Sequence, residues 1–241
     1  VRSRRQRQMC IRDSNYIMPF IVSIEGNIGS GKSTFIKYLN KYAKTNVDCI
    51  HRDIKYIQEP VDEWNNIKDS GGESILQKFY SNQEEYAFSF QIMAYITRLR
   101  KIIESIDQFP NAIHICERSL ETDKHVFAQM LYDDKKIKEI DWVIYNYWFS
   151  TFLDKCKTNL IIYVNTTPEN CHARVKLRDR LGESNIPLTY LQNCHTYHEK
   201  WIRHTKVNTL VLNGNTDVQD KQSYTIVLEN TLNAILHASH S

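Results

Sequence analysis

The chain has 241 residues, of which 41% are hydrophobic and 24% charged, a composition typical of one globular α/β domain. Its formal charge of +3 is uneven, because residues 1–17 contribute +4 and the rest contributes −1. The near-neutral body argues against a nucleic-acid polymer or a membrane as partner, and no apolar run approaches the ~18 residues of a membrane span. The six cysteines form no C-x-x-C pair, which favours reduced thiols in an intracellular compartment over a disulfide framework.

The first 17 residues contain five arginines and one aspartate and show no apolar periodicity. We therefore predict a disordered or non-native tail over residues 1–17 and a single folded domain over residues 18–241. An Arg-rich, acid-poor segment is also typical of a mitochondrial transit peptide. A segment left by cloning or assembly is the favoured interpretation, because no amphipathic pattern is visible. We expect a cytoplasmic protein, or a mitochondrial one if the tail is a genuine transit peptide.

Strands and helices are predicted to alternate along the rest of the chain. Short runs rich in Val, Ile, Leu and Tyr predict five buried strands, over residues 20–24, 55–58, 112–116, 160–164 and 209–212. Helices are predicted over residues 32–44, 73–106 with a break near 81–82, 121–131, 136–155, 168–180, 188–204 and 224–237. This alternation predicts a parallel sheet with helices on both faces, where ligands bind at the carboxyl ends of the strands.

A phosphate-binding loop follows the first predicted strand and opens the next helix. Residues 26–34 read GNIGSGKST and match the pattern G-x-x-x-x-G-K-[ST] from Gly26 to Ser33. Glycines let the backbone aim its N–H groups at a phosphate, Lys32 adds a positive charge, and Ser33 offers a hydroxyl ligand for Mg²⁺. The predicted contacts are Gly26, Asn27, Ile28, Gly29, Ser30, Gly31, Lys32, Ser33 and Thr34. The loop does not identify the acceptor, but the absence of an N-K-x-D motif argues against a GTPase.

Carboxylates follow the second and third predicted strands. Glu59 stands where the second strand ends, and a carboxylate there can accept a proton from an attacking hydroxyl. Glu117 and Arg118 stand together at the end of the third strand, where they can hold Mg²⁺ and neutralise a transferring phosphoryl group. The alternatives are a solvated loop acid at Glu59 and a structural ion pair at Glu117 and Arg118.

Six motifs occur in order: EGNIGSGKST, EPVDEW, FSFQIMAYITRLR, ERSLETD, LRDRLGESNIPLTYL and HEKW. Together they resemble the deoxynucleoside kinase family over residues 20 to about 236. The resemblance implies a P-loop kinase fold, with a five-stranded parallel sheet of order 2-3-1-4-5 flanked by helices and a helical lid at about residues 174–186. It also implies phosphoryl transfer from ATP, with Mg²⁺, to the 5′-hydroxyl of a deoxynucleoside in nucleotide salvage.

The resemblance assigns roles near the reaction centre. Glu59 is the expected general base, with Glu117 as runner-up. Arg118 is the clamp between Glu59 and the phosphoryl group. Lys32 contacts the donor phosphates, and Mg²⁺ is expected at Ser33 and Glu117. The expected lid arginines are Arg174, Arg178 and Arg180, and the adenine-binding loop contains Asp217 and Val218.

The resemblance also assigns the acceptor pocket. Its expected walls are Ile28, Trp64, Leu76, Phe90 and Phe127. Gln91 is the expected reader of the base edge, and Tyr80 and Glu183 are the expected partners of the sugar 3′-hydroxyl. Arg98 and Asp123 mark the deoxycytidine and deoxyguanosine branch, so we expect deoxycytidine and deoxypurines to be favoured over thymidine.

Family members commonly dimerise through two long helices, so a homodimer through residues 84–106 and 136–155 is expected. Two rival interpretations stay open at this point. One is another small-molecule P-loop kinase, such as a nucleoside-monophosphate kinase. EPVDEW supplies few cations near Glu59 for a monophosphate acceptor, which disfavours this rival. The other is a non-catalytic nucleotide-binding relative, although Lys32, Glu59 and the lid arginines are all intact.

Overall fold

The computed structural model describes residues 19–46, 52–180, 183, 186–216 and 221–240. Its strands are β1 (Phe20–Glu25), β2 (Ile54–Ile57), β3 (Ile113–Glu117), β4 (Leu160–Asn165) and β5 (Asn208–Asn213). Its helices begin with α1 (Lys32–Thr45), α2 (Val61–Asn66), α3 (Ile75–Ser81) and α4 (Gln83–Gln108). They continue with α5 (Leu120–Thr122), a π-helix (Asp123–Ala128), α6 (Gln129–Asp133), α7 (Glu139–Phe152) and a 3₁₀ turn (Leu153–Lys155). The last helices are α8 (Pro168–Arg178), α9 (Leu188–His204) and α10 (Lys221–His240).

The strands form one five-stranded sheet in the order β2-β3-β1-β4-β5, with every pairing parallel. The predicted fold and strand order are therefore confirmed. Strands β1 and β3 are almost fully buried because both faces of the sheet are covered by helices. One apolar cluster packs α3, α4 and α7 against one face, and a second packs α1 and α10 against the other. The carboxyl ends of β1, β2 and β3 consequently meet at one edge of the sheet.

Several helix boundaries differ from the predicted ones for identifiable reasons. The predicted helix 73–106 begins later, where Ser74 and Gln77 form a capping box at the start of α3. It breaks where expected, because Asn82 ends α3 and its side chain caps α4 by accepting from the N–H of Glu85. The predicted helix 168–180 stops at Arg178, since Asp179 adopts a left-handed conformation with φ of 44°. Helix α2 was not predicted, because its six residues are too few to show a helical apolar periodicity.

Part of the predicted domain organisation falls outside the described part of the chain. The tail at residues 1–17 lies outside it, so its nature and the choice between cytoplasm and mitochondrion stay predictions. The domain limits likewise stay predictions. Among the described residues, no helix combines the length and apolar character that crossing a membrane requires.

Candidate active site

The loop between β1 and α1 has the backbone that its glycines allow. Gly29 has φ of +77°, and a Cβ there would meet the carbonyl oxygen of Cys171 at 2.5 Å, so both conformation and space require glycine. The Nζ of Lys32 donates to the carbonyl oxygens of Gly26 at 3.2 Å and Asn27 at 2.9 Å. Burial, followed by the charge of Arg118, lowers the pKa of Lys32 to about 8. Lys32 is therefore still predominantly charged at neutral pH.

The end of β3 brings a carboxylate and a guanidinium to this loop. The Oγ of Ser33 donates to Oε1 of Glu117 at 2.7 Å, which places a hydroxyl and a carboxylate side by side. The next residue, Arg118, has φ of 68°, a conformation that is uncommon for a non-glycine residue. Glu25, which the sequence analysis did not select, supports this turn because its Oε1 accepts from the backbone N–H of Ser119 at 2.9 Å. The β3 turn thus points both charged side chains at the phosphate loop.

Glu59 lies between two arginines. Its Oε1 is 3.0 Å from Nε of Arg118 and accepts from Nη2 of Arg98 at 3.1 Å. Burial raises the pKa of Glu59, but the charges of Arg118, Arg98 and Lys32 outweigh it and hold the pKa at about 2. Glu59 is therefore ionised throughout the physiological pH range and carries the charge state that a proton acceptor needs.

Arg98 and Asp123 form the predicted pair, deep in the protein. Nε of Arg98 donates to Oδ2 of Asp123 at 2.8 Å, and Nη2 donates to Oδ1 at 3.1 Å. Nη1 of Arg98 donates to the carbonyl oxygen of Glu117 at 2.8 Å. Burial raises the pKa of Asp123 and the Arg98 charge opposes that rise. Burial would lower the pKa of Arg98, but the Asp123 and Glu59 carboxylates raise it instead. The bidentate contact with Arg98 favours the ionised form of Asp123.

These groups face one cavity of about 530 Å³. Its lining contains the predicted residues Ile28, Gly29, Gly31, Lys32, Ser33, Thr34, Glu59, Trp64, Leu76, Tyr80, Phe90, Gln91, Arg98, Glu117, Arg118, Asp123, Phe127, Arg174, Arg178, Arg180 and Glu183. The sequence analysis did not assign Gln58, Val61, Asp62, Phe79 or Tyr190, which also line it. The structure therefore brings every predicted acceptor residue to one place, while their individual roles stay predictions.

The far end of the cavity suits a flat ring. Phe79 stacks on Phe90 with ring centroids 4.5 Å apart, and Trp64 meets Phe90 edge to face at 5.3 Å. The indole N–H of Trp64 donates to Oγ1 of Thr97 at 3.0 Å, which fixes the indole in place. Gln91 is 2% exposed, and its Oε1 has no hydrogen-bond partner among the described residues. A buried amide beside aromatic walls needs a polar partner.

The predicted lid arginines also line the first cavity. Nη1 of Arg174 donates to the carbonyl oxygen of Ser30 at 3.1 Å. Arg178 and Arg180 both pair with Glu183, the latter at 3.3 Å. Residues 181, 182, 184 and 185 of the predicted lid lie outside the described part of the chain.

A second cavity, of about 430 Å³, shares three lining residues with the first, namely Gly31 and Thr34 of the phosphate loop and Arg174 of α8. Ser30 lines it together with residues 212–216, which belong to the predicted adenine-binding loop. Asp217 and Val218, assigned to the same loop, lie outside the described residues.

The fold and site together define a class of protein. A phosphate loop opens the helix after β1, the sheet has the order 2-3-1-4-5, and a polar, aromatic-walled cavity adjoins the loop. This arrangement defines a P-loop kinase that acts on a small organic acceptor.

The family is shown by comparison with known proteins. A family model described as "Deoxynucleoside kinase" matches residues 22–237, so the chain belongs to the deoxynucleoside kinase family. The chain is 32% identical over 230 residues to human deoxycytidine kinase, covering 83% of this chain and 85% of that protein. It is 34% identical over 218 residues to a probable deoxycytidine kinase of fowlpox virus, covering 87% and 85%. It is 30% identical over 184 residues to mitochondrial thymidine kinase 2 of Macaca fascicularis, covering 76% and 64%. The predicted family and enzyme class are confirmed.

Proposed function

We propose that the protein transfers the γ-phosphoryl group of ATP to the 5′-hydroxyl of deoxycytidine or a deoxypurine nucleoside. The observation that carries this proposal is a continuous chain of polar contacts through the cavity. It runs from Asp123 to Arg98, to Glu59, to Arg118 and to the carbonyl oxygen of Gly26 in the phosphate loop. One end of this chain suits a nucleobase and the other a phosphate, so a nucleoside would present its 5′-hydroxyl near Glu59.

In the proposed reaction Glu59 accepts the proton of the 5′-hydroxyl while the hydroxyl oxygen bonds to the γ-phosphorus. The bond between that phosphorus and the β,γ-bridging oxygen breaks, and ADP leaves. Arg118 and Lys32 lie within the same cavity and stabilise the charge on the transferring group. The low pKa of Glu59 keeps it ionised, and the 5′-hydroxyl becomes more acidic as its oxygen bonds to phosphorus.

Ser33 and Glu117 are the residues that would hold Mg²⁺. A hydroxyl and a carboxylate oxygen 2.7 Å apart are hard oxygen ligands of the kind this ion prefers, directly or through its waters. When bound, the ion would neutralise charge on the phosphates and orient them.

Base selection is proposed for Gln91, Arg98 and Asp123. The amide of Gln91 offers a donor and an acceptor in one plane. The Asp123 carboxylate, held by Arg98, can accept from an exocyclic amino group, which cytosine carries and thymine replaces with a carbonyl oxygen. The relatives named deoxycytidine kinase support this choice.

We also propose a homodimer through α4 and α7. The outer face of α7 exposes Ile140 at 65%, Val143 at 56% and Tyr147 at 72%, and Ile96 on α4 is 43% exposed. A patch of this kind is typical of a buried protein interface. Sedimentation analysis of a Tyr147→Glu variant would show a monomer if the patch is the interface.

The experiment that tests the function is an ATP-coupled assay with the four deoxynucleosides and their ribose counterparts. We expect turnover of deoxycytidine and deoxypurines at least about tenfold above thymidine, because an unpaired buried polar group costs ~1–3 kcal/mol. Replacing ATP by other nucleoside triphosphates tests the donor. A preference for thymidine over all three others would refute the proposed selectivity while leaving the enzyme class intact.

A further inference from the structure

The guanidinium of Arg118 is contacted by four other residues, from four different parts of the chain. Arg118 is 2% exposed, its Nε is 3.0 Å from Glu59, and its guanidinium lies 4.8 Å from the ring centroid of Phe127. Its Nη1 donates to the carbonyl oxygen of Gly26 at 2.7 Å. The same Nη1 also lies 3.5 Å from Nε2 of His198 on α9. An Arg Nη carries two hydrogens, so it can serve both partners.

The direction of the contact with His198 follows from the other nitrogen of its ring. Nδ1 of His198 is 2.7 Å from the carbonyl oxygen of Cys194, and a carbonyl oxygen can only accept. Nδ1 therefore carries the proton in the neutral ring, and Nε2 presents a lone pair. That lone pair faces Arg118, so His198 is an acceptor for the guanidinium.

His198 stays neutral in this environment. Burial lowers its pKa well below the ordinary value, and the charges of Arg118 and Lys32 and the neighbouring His195 lower it further. The hydrogen bond to Cys194 opposes this effect without reversing it. Arg118 already pairs with the Glu59 carboxylate, and a neutral second acceptor orients the guanidinium without neutralising it further. A neutral histidine suits a cation that must stabilise a phosphoryl group.

Packing alone does not require a histidine here. The ring is 0% exposed and lies 6.1 Å from the ring centroids of both Tyr163 and Phe127. An unbranched apolar side chain of similar volume would fill this space. Helix α9 is also fixed to the phosphate loop, because Nδ2 of Asn27 donates to the carbonyl oxygen of Leu191 at 2.8 Å. His198 therefore stands on a helix that is already anchored beside the site.

We propose that His198 is a positioning residue that holds the Arg118 guanidinium in its working orientation through a neutral acceptor. This proposal rests on the catalytic role proposed for Arg118. His198 acts through Arg118 and does not itself touch the substrate.

The test compares variants of His198 in the full chain, with ATP and deoxycytidine. His198→Met should lower kcat by about 10- to 100-fold, the scale expected when a catalytic group is misplaced by up to about 1 Å. The Kd for deoxycytidine without donor, followed by tryptophan fluorescence, should change less than about twofold. His198→Gln places an amide oxygen near the position of Nε2 and should recover most of the rate. His204→Met is the matched control, since His204 makes the same kind of contact to Lys200 but is exposed.

The same substitution in an Arg118→Met background separates positioning from stability. If His198 acts through Arg118, His198→Met should lower kcat by less than about twofold there. A wild-type rate in His198→Met would overturn the proposal, as would a full additional loss in the Arg118→Met background. If His198→Met fails to fold, His198→Asn replaces it, since its shorter side chain reaches the Cys194 carbonyl but not Arg118. Failure of the wild-type chain to phosphorylate any deoxynucleoside would instead refute the proposed function.

Discussion

The charged groups at the end of β3 and those on the lid face the same cavity but are held in different ways. Glu117, Arg118 and Asp123 are at most 7% exposed, and each has a partner on another element. The side chains of Arg178 and Arg180 are 35% and 33% exposed, and both pair with Glu183 only a few residues away. The protein itself therefore holds the β3 end in place, whereas in the proposed function the lid arginines exchange a local carboxylate for a phosphate.

This difference predicts that the two sets of charged groups affect different steps of the reaction. Buried, prearranged charges act where charge develops in the transition state, and they are little affected by salt. Exposed arginines that must change partner act on donor binding and lid closure, and added salt weakens their electrostatic contacts.

The largest expected effect is on Glu59, which follows β2 and pairs with Arg118 of the β3 end. Glu59→Gln keeps the shape of the side chain but removes the proton acceptor, so kcat should fall by ~10²–10⁴-fold. Stopped-flow or coupled kinetics with deoxycytidine would measure this loss, and nucleoside binding should survive. Glu63→Gln is the control, because Glu63 is outside the cavity lining and pairs with Arg100. Normal turnover of Glu59→Gln together with loss in Glu117→Gln would move the base to Glu117.

The second expected effect concerns the Arg98–Asp123 pair. Replacing both members, Arg98→Met with Asp123→Ala, should raise kcat/KM for thymidine relative to deoxycytidine by about tenfold or more. The steady-state kinetics of both substrates would measure the change. A matched control removes a more exposed pair between α4 and α2, Arg100→Met with Glu63→Ala, whose atoms are 2.6 Å apart. Unchanged selectivity in the first variant would show that the buried pair is structural only.

A smaller effect is expected on the lid. Arg178→Met should raise the KM for ATP about fivefold at low salt, since a solvent-screened contact contributes up to ~1 kcal/mol. Raising the ionic strength should weaken ATP binding in the wild type and narrow its difference from the variant. Lys176→Met makes the same charge change on the exposed surface of α8 and should leave the KM unchanged. An effect of Arg178→Met that is independent of salt would contradict the contrast with the β3 end.

No effect is expected from deleting residues 1–17. This segment carries the excess positive charge and shows no packing pattern. A chain that begins at Met18 should keep its melting temperature and its kcat. Calorimetry and the coupled assay check both, and a large drop in melting temperature would assign the segment to the fold.

The sequence predicted the features that depend on local pattern. The five strands, the phosphate loop and the break before α4 follow from apolar runs, glycines and a capping Asn82, all of which act over a few residues. Two contacts between distant residues were missed. Glu25 meets Ser119 across 94 positions and His198 meets Arg118 across 80, and nothing in the local sequence signals either contact.

The helix after β3 was predicted as regular, but residues Asp123–Ala128 form a π-helix. Asp123 and Phe127, both on this segment, line the cavity. Sequence propensity does not predict such a segment, because π-helices are rare and are not marked by a local residue pattern.

One oxygen of Glu59 contacts both Arg98 and Arg118, so nucleobase preference and the pKa of the proposed base cannot be changed independently. Oε1 of Glu59 faces Arg98, a member of the pair proposed to select the nucleobase, as well as Arg118. Loss of Arg98 would remove a cation that lowers the pKa of Glu59, so this pKa would rise toward its ordinary value. In the proposed function, replacing Arg98 therefore has two effects at once. It changes which nucleobase is preferred, and it makes Glu59 a stronger base. The pH below which activity is lost then moves closer to neutral.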